Sequence, residues 1–126
     1  MERIGVVGCG LMGAGIAEVC ARAGKDVIVA ESSAAAVEAG QARLTKSLER
    51  AEARGKIDSA ADVLARIRVV DNLEALADRE LVIEAIVEDE DAKTELFRKL
   101  DEIVTSHEAI LASNTSSIKF IDRKSG

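Results

Sequence analysis

Six residues near the start of the chain, Gly8-Cys9-Gly10-Leu11-Met12-Gly13, have the spacing G-x-G-x-x-G. Each glycine in such a run has its own physical reason. Gly8 permits a tight turn, Gly10 lets a pyrophosphate approach the backbone, and Gly13 lets a helix pack close to a strand. A helix that begins there directs free N–H groups and its positive dipole end at the phosphates. Glu31 follows 18 residues beyond Gly13. That is the place for an acid that accepts hydrogen bonds from an adenosine ribose. A carboxylate repels a 2′-phosphate, and Glu31-Ser32-Ser33 offers no Arg or Lys to hold one. The turn and the acid together imply dinucleotide binding, with NAD favoured over NADP. The plainer alternative is a ligand-free strand-to-helix turn followed by a strand-end acid.

Other polar groups are placed where chemistry is feasible. Glu88 and Lys93 fall just past an apolar run that ends near Val87. Open α/β sheets bind ligands beyond the carboxyl ends of their strands. A helix N-terminal acid and a solvated lysine would occupy the same positions. Asn114-Thr115-Ser116-Ser117 follows another such run, and there a helix N-cap is the alternative role for the hydroxyls. Arg43, Lys46, Arg50 and Arg54 recur at steps of three and four, which places them on one helix face. That face suits a phosphate-rich ligand, or is solvated and partly balanced by Glu49 and by the pair Glu52 and Lys56. Cys9 is a small residue inside the turn, and Cys20 falls at core spacing with Ile16 and Val19. The single histidine, His107, lies between a helix and a strand and reads as a surface residue.

These residues need elements to hold them, and apolar runs alternate with amphipathic ones. Strands are expected at residues 3–8, 26–31, 68–70, 81–87 and 109–113. Helices are expected at 11–23, 34–54, 59–66 and 91–105, the third with Ser59 as N-cap. In the last, Lys93, Leu96, Phe97, Leu100, Ile103 and Val104 carry the 3.6-residue period. Near-continuous apolar strands between helices imply an α/β, Rossmann-type, doubly wound and mainly parallel sheet of five or more strands.

Composition narrows the function classes. A chain of 126 residues suffices for one domain with a real core. The net charge of −6 argues against nucleic acid or an anionic membrane surface as the main partner. Phe97 and Phe120 are the only aromatic residues, too few for a base-stacking platform. No apolar run approaches the roughly 20 residues of a membrane-spanning helix. With Glu2, Arg3 and the early glycines breaking the first apolar stretch, no signal peptide is expected. The two cysteines have no metal or redox spacing, so no metal site and a reduced, cytoplasmic setting are expected.

Three longer stretches carry a family resemblance: GVVGCGLMGAGIAEVCARAG, LVIEAIVEDEDAKTELFRKLDEIV and ILASNTSSI. Over residues 2–118 the chain resembles the NAD-binding half of 3-hydroxyacyl-CoA dehydrogenases, especially the shorter bacterial 3-hydroxybutyryl-CoA type. The resemblance implies an oxidoreductase that interconverts L-3-hydroxyacyl-CoA and 3-ketoacyl-CoA by hydride transfer, with NAD as cofactor and acyl-CoA as substrate. It places Gly8, Gly10, Leu11, Met12 and Gly13 along the pyrophosphate and Glu31 at the adenine ribose. It places Glu88 and Lys93 on the nicotinamide side. Ser116 would face nicotinamide and the substrate's 3-oxygen, and Ser47 and Arg54 would contact coenzyme A.

The chain also departs from the family. Family members continue into an H-F-F-N-P segment with a catalytic His, a partner Glu and a helical carboxyl-terminal domain. A proline usually follows the Ser-Ser-Ile segment, whereas this chain contains no proline. Residues 1–118 are therefore expected to form the NAD-binding domain and residues 119–126 an atypical tail, with the general base and the helical domain absent. Homo-oligomer contacts of the parent enzyme would lie in that domain, and some self-association is expected. The expectation is weak NAD(H) binding without turnover. The competing reading is a stand-alone, non-catalytic nucleotide-binding or sensor module.

Overall fold

A computed structural model of the chain describes residues 2–8, 10–85, 90–105, 110–113 and 119–122. The elements run β1 (Arg3–Val7), α1 (Leu11–Arg22), β2 (Asp26–Ala30), α2 (Ala34–Ala53), α3 (Ala60–Leu64), β3 (Ile67–Val70), β4 (Leu81–Glu84), α4 (Glu90–Ile103), β5 (Ile110–Ser113) and β6 (Lys119–Asp122). A single turn of 3-10 helix, Glu74–Leu76, connects β3 to β4. The six strands form one sheet in the order β3-β2-β1-β4-β5-β6. Pairing is parallel from β3 through to β5. The order reverses between β1 and β4, which opens a crevice at the carboxyl ends of those two strands.

The strand expected at 81–87 is described over Leu81–Glu84 as β4, and positions 86–87 lie outside the described residues. Lys119–Asp122, expected to be an atypical tail, pairs antiparallel with β5, placing Phe120 opposite Ala112 and Ile121 opposite Leu111. Phe and Ile favour a pleated strand, and an antiparallel edge commonly closes such sheets.

The central strands are buried because helices cover both faces. On one side Ile4, Val6, Val27 and Val29 pack with Ala14, Ala17 and Ala21 of α1 and with Leu44 and Leu48 of α2. On the other, Val7, Ile28, Ala30 and Val82 pack with Leu76 and with Leu96, Leu100 and Val104 on or just beyond α4. The small residues of α1 let it approach the sheet closely, so the turn that precedes it is held firmly. Side-chain caps define two helix starts. Ser33 Oγ accepts the Ala36 N–H at the start of α2, and Ser59 Oγ accepts that of Asp62 at the start of α3.

Candidate functional site: a dinucleotide crevice and a basic cleft

The glycine turn joins β1 to α1 at the crevice. Gly8 has φ +95°, a conformation that L side chains rarely adopt. Its N–H donates to Ala30 O at 2.9 Å, which ties the turn to the end of β2. A Cβ added to Gly13 would lie 1.9 Å from the Gly8 carbonyl oxygen, so only glycine permits this approach of α1 to the turn. A Cβ added to Gly10 would meet nothing within 4 Å. The missing side chain there clears space in front of the turn instead of relieving a contact.

Among the described residues no side chain caps α1, and no acidic residue lies in its first turn. The first N–H groups of a helix have no partner within it. Here they lie beside Gly10, which has no side chain to fill the space around it. Leu11 and Met12 are 86% and 61% exposed, unusual for large apolar residues on a tightly packed helix. An anion with an apolar flank matches this surface, and the diphosphate of a dinucleotide is such an anion.

Glu31 extends the site sideways. Val7 and Ala30 are in register, so Gly8 and Glu31 follow them on neighbouring strands, about 5 Å apart across the sheet. The Glu31 N–H donates to Val70 O at 2.7 Å, fixing its backbone at the sheet's carboxyl edge. The residues present therefore fit a dinucleotide, with space at Gly10, N–H donors at α1 and an acid at the carboxyl end of the neighbouring strand.

On the α4 side of the crevice lies a pair that sequence reasoning recognised only in part. Glu84, the last residue of β4, has 0% exposure, and its Oε1 lies 3.2 Å from Lys93 Nζ. Lys93 is buried in the first turn of α4. Two signals were available. Glu84 is an acid inside the apolar run LVIEAIV, and Lys93 begins the periodic stripe that continues through Leu96 and Leu100. A charge on a buried stripe needs an opposite charge facing it.

A cleft of about 260 Å³ opens between α1 and α2, lined by Leu11, Glu18, Arg43, Lys46, Ser47 and Arg50 among others. Ser47 Oγ lies 2.8 and 2.9 Å from the two Glu18 carboxylate oxygens and donates to that carboxylate. Three of the four cations expected on one face of α2 thus converge with Ser47. Arg54 lies two turns further on, about 10 Å along the axis, as the C-cap of α2, and does not line the cleft.

Cys9, Glu88, His107 and the Asn114–Ser117 run, including Ser116, lie outside the described residues. Cys20 is a half-buried free thiol, and burial pushes its pKa up, against the opposing effect of Lys25. That suits a packing role. Among the described residues no three metal-ligating side chains cluster, and no helix is long and apolar enough to cross a membrane.

Known proteins share this fold. Residues 3–123 match the family described as 3-hydroxyacyl-CoA dehydrogenase, NAD binding domain. A 3-hydroxybutyryl-CoA dehydrogenase of Mycobacterium tuberculosis is 52% identical over 120 residues, covering 94% of this chain and 42% of the relative. A probable 3-hydroxybutyryl-CoA dehydrogenase of Deinococcus radiodurans is 44% identical over 117 residues, covering 92% and 42%. The crystal structure of M. tuberculosis FadB2 superposes with a TM-score of 0.90 at 49% identity, covering 99% of this chain and 45% of that one. That of (S)-3-hydroxybutyryl-CoA dehydrogenase PaaH1 from Ralstonia eutropha gives 0.85 at 39%, covering 93% and 42%. The chain therefore spans less than half the length of these relatives. A glycine turn at the switch point, an acid at the end of the next strand and a match over nearly every residue place the chain in the family of 3-hydroxyacyl-CoA dehydrogenase NAD-binding domains.

Proposed function

We propose that this chain is the NAD-binding half of an oxidoreductase that interconverts an L-3-hydroxyacyl-CoA, 3-hydroxybutyryl-CoA in particular, and the 3-ketoacyl-CoA. The observation that carries the reading is the glycine turn. Gly13 is locked against Gly8 O while Gly10 faces open space, beside an uncapped helix and one strand from Glu31. Bound NAD supplies the hydride acceptor, and the protein supplies orientation and electrostatics. Gly8, Gly10 and Gly13 shape the pyrophosphate bed, with Leu11 and Met12 flanking it. Glu31 accepts hydrogen bonds from the adenine ribose and disfavours a 2′-phosphate.

The remaining roles follow family relatives. Glu88 and Lys93 hold the nicotinamide side, and Ser116 orients the reacting substrate oxygen. Ser47 and Arg54 contact coenzyme A. The cluster of Arg43, Lys46 and Arg50 beside Ser47 supports a phosphate-bearing ligand on α2, and Arg54 extends the basic face along the same helix. A cytoplasmic setting and assembly into a homo-oligomer belong to the same proposal.

Calorimetric titration with NADH and then NADPH tests the cofactor reading. NADH is expected to bind, NADPH to bind at least about tenfold more weakly, and Glu31→Ala to weaken NADH by about tenfold. Equal binding of both cofactors, unchanged in Glu31→Ala, would remove the ribose role from Glu31. No binding of either would leave the turn as architecture alone.

A further inference from the structure

The Glu84–Lys93 pair places two charges in the interior of the fold. Parallel strands covered on both faces are normally apolar throughout. Glu84 is nonetheless fully buried at the end of β4, on the side of the sheet that packs against α4. Lys93 is unfavourable on two counts. It is a buried cation, and it sits in the first turn of a helix, where the backbone dipole is already positive. Glu84 compensates both at 3.2 Å. An apolar pair of similar volume would pack as well or better, so burial alone does not explain these residues.

Position supplies the explanation. Glu84 is in register with Val7 on one side and Ser113 on the other. The next residue, Ala85, donates its N–H to Val7 O at 2.9 Å. Its Cβ lies 3.6 Å from a Cβ built on Gly13. The pair thus lies one strand away from the glycine turn, at the β1/β4 crevice. Glu31 is one strand away on the opposite side of β1. A dinucleotide whose adenosine reaches Glu31 and whose pyrophosphate lies at the turn must send its other half toward β4 and β5.

We propose that Glu84 is a positioning residue, whose buried carboxylate holds the Lys93 ammonium at the β1/β4 crevice for the nicotinamide half of the dinucleotide. The proposal rests on the NAD-binding reading above. It adds that the location of Lys93 depends on a strand residue that need not touch the cofactor.

The test compares NADH with ADP, which keeps adenosine and pyrophosphate but lacks the nicotinamide half. Both are titrated by calorimetry into the 126-residue chain and its variants. Glu84→Gln is expected to weaken NADH by about tenfold and to leave ADP within about twofold. In a Lys93→Met background, Glu84→Gln should cause no further selective loss. A merely structural role would instead weaken NADH and ADP equally, and that result overturns the proposal. If Glu84→Gln does not fold, Glu84→Asp retains the charge but retracts it by one methylene. It should again weaken NADH selectively, and equal or absent effects on both ligands would overturn the proposal. Failure of the wild-type chain to bind either ligand would instead count against the cofactor reading itself.

Discussion

Gly10 and Gly13 belong to one turn but answer to different neighbours. Gly13 is glycine because a backbone carbonyl occupies the place of its side chain, 1.9 Å from a built Cβ. Gly13→Ala must push α1 off the turn, and overpacking against rigid backbone costs about 3 kcal/mol. Gly10 has ordinary φ of −67° and open space around it. Gly10→Ala should therefore cost only about 0.5 kcal/mol, as expected for Ala at a helix N-cap, while obstructing the pyrophosphate. Thermal melts paired with NADH titrations separate the two cases. Gly13→Ala should lose melting temperature first, and Gly10→Ala should melt nearly as wild type yet bind NADH at least about tenfold more weakly. A Gly10→Ala protein with unchanged affinity would place the pyrophosphate elsewhere.

Among the elements, α4 combines packing and site-building on one stripe. Leu96, Leu100 and Val104 are buried against Val7, Ile28 and Val82, and Lys93 continues that stripe toward the crevice. Leu100, with 0% exposure, anchors it. Leu100→Ala should cost about 2–5 kcal/mol in urea unfolding, because a cavity adds to the lost transfer energy. NADH affinity should fall with it if α4 presents Lys93. Unchanged affinity in the folded variant would detach the helix from the site. Most of this architecture was legible in sequence, since apolar runs flanked by amphipathic ones mark β1, β2, β4 and their helices. The glycine turn and Glu31 were legible for the same reason, because their spacing is local. The 3-10 turn at Glu74–Leu76 is too short to show a period. Strand β6 is stabilised by pairing with β5, a long-range property that four residues do not advertise. The partnership of Glu84 with Lys93 was hidden similarly. Each residue broke an apolar pattern on its own element, but only the packing of α4 on β4 brings the two charges together.

At the scale of the molecule, the two ends of the sheet are built differently. The carboxyl end has an uncapped helix and open space, whereas the amino end is closed by charge. Arg79 is 2% exposed and bonds Asp78 through Nε and Nη2 at 2.9 Å each, while its Nη1 reaches Asp26 at 3.1 Å. Glu80 accepts the backbone N–H groups of Glu2 and Arg3, anchoring the start of β1 and holding its carboxyl below the usual range. The paired hydrogen bonds from Arg79 likewise hold the Asp78 carboxyl below its ordinary value. As pH falls, the unfolded chain therefore takes up a proton at Asp78 before the folded chain does. The stabilisation is fully present above the ordinary aspartate pKa of about 4 and is lost as pH drops through the lower folded value. The Asp78 side chain is 61% exposed, so solvent screening limits the effect to about 0.5 kcal/mol. Asp78→Asn should then melt about 2 °C below wild type at pH 7 and converge with it as the pH approaches 3. Melting curves at half-unit pH steps would show the convergence. A difference that stayed constant down to pH 3 would assign the loss to repacking around Arg79 rather than to the charge of Asp78.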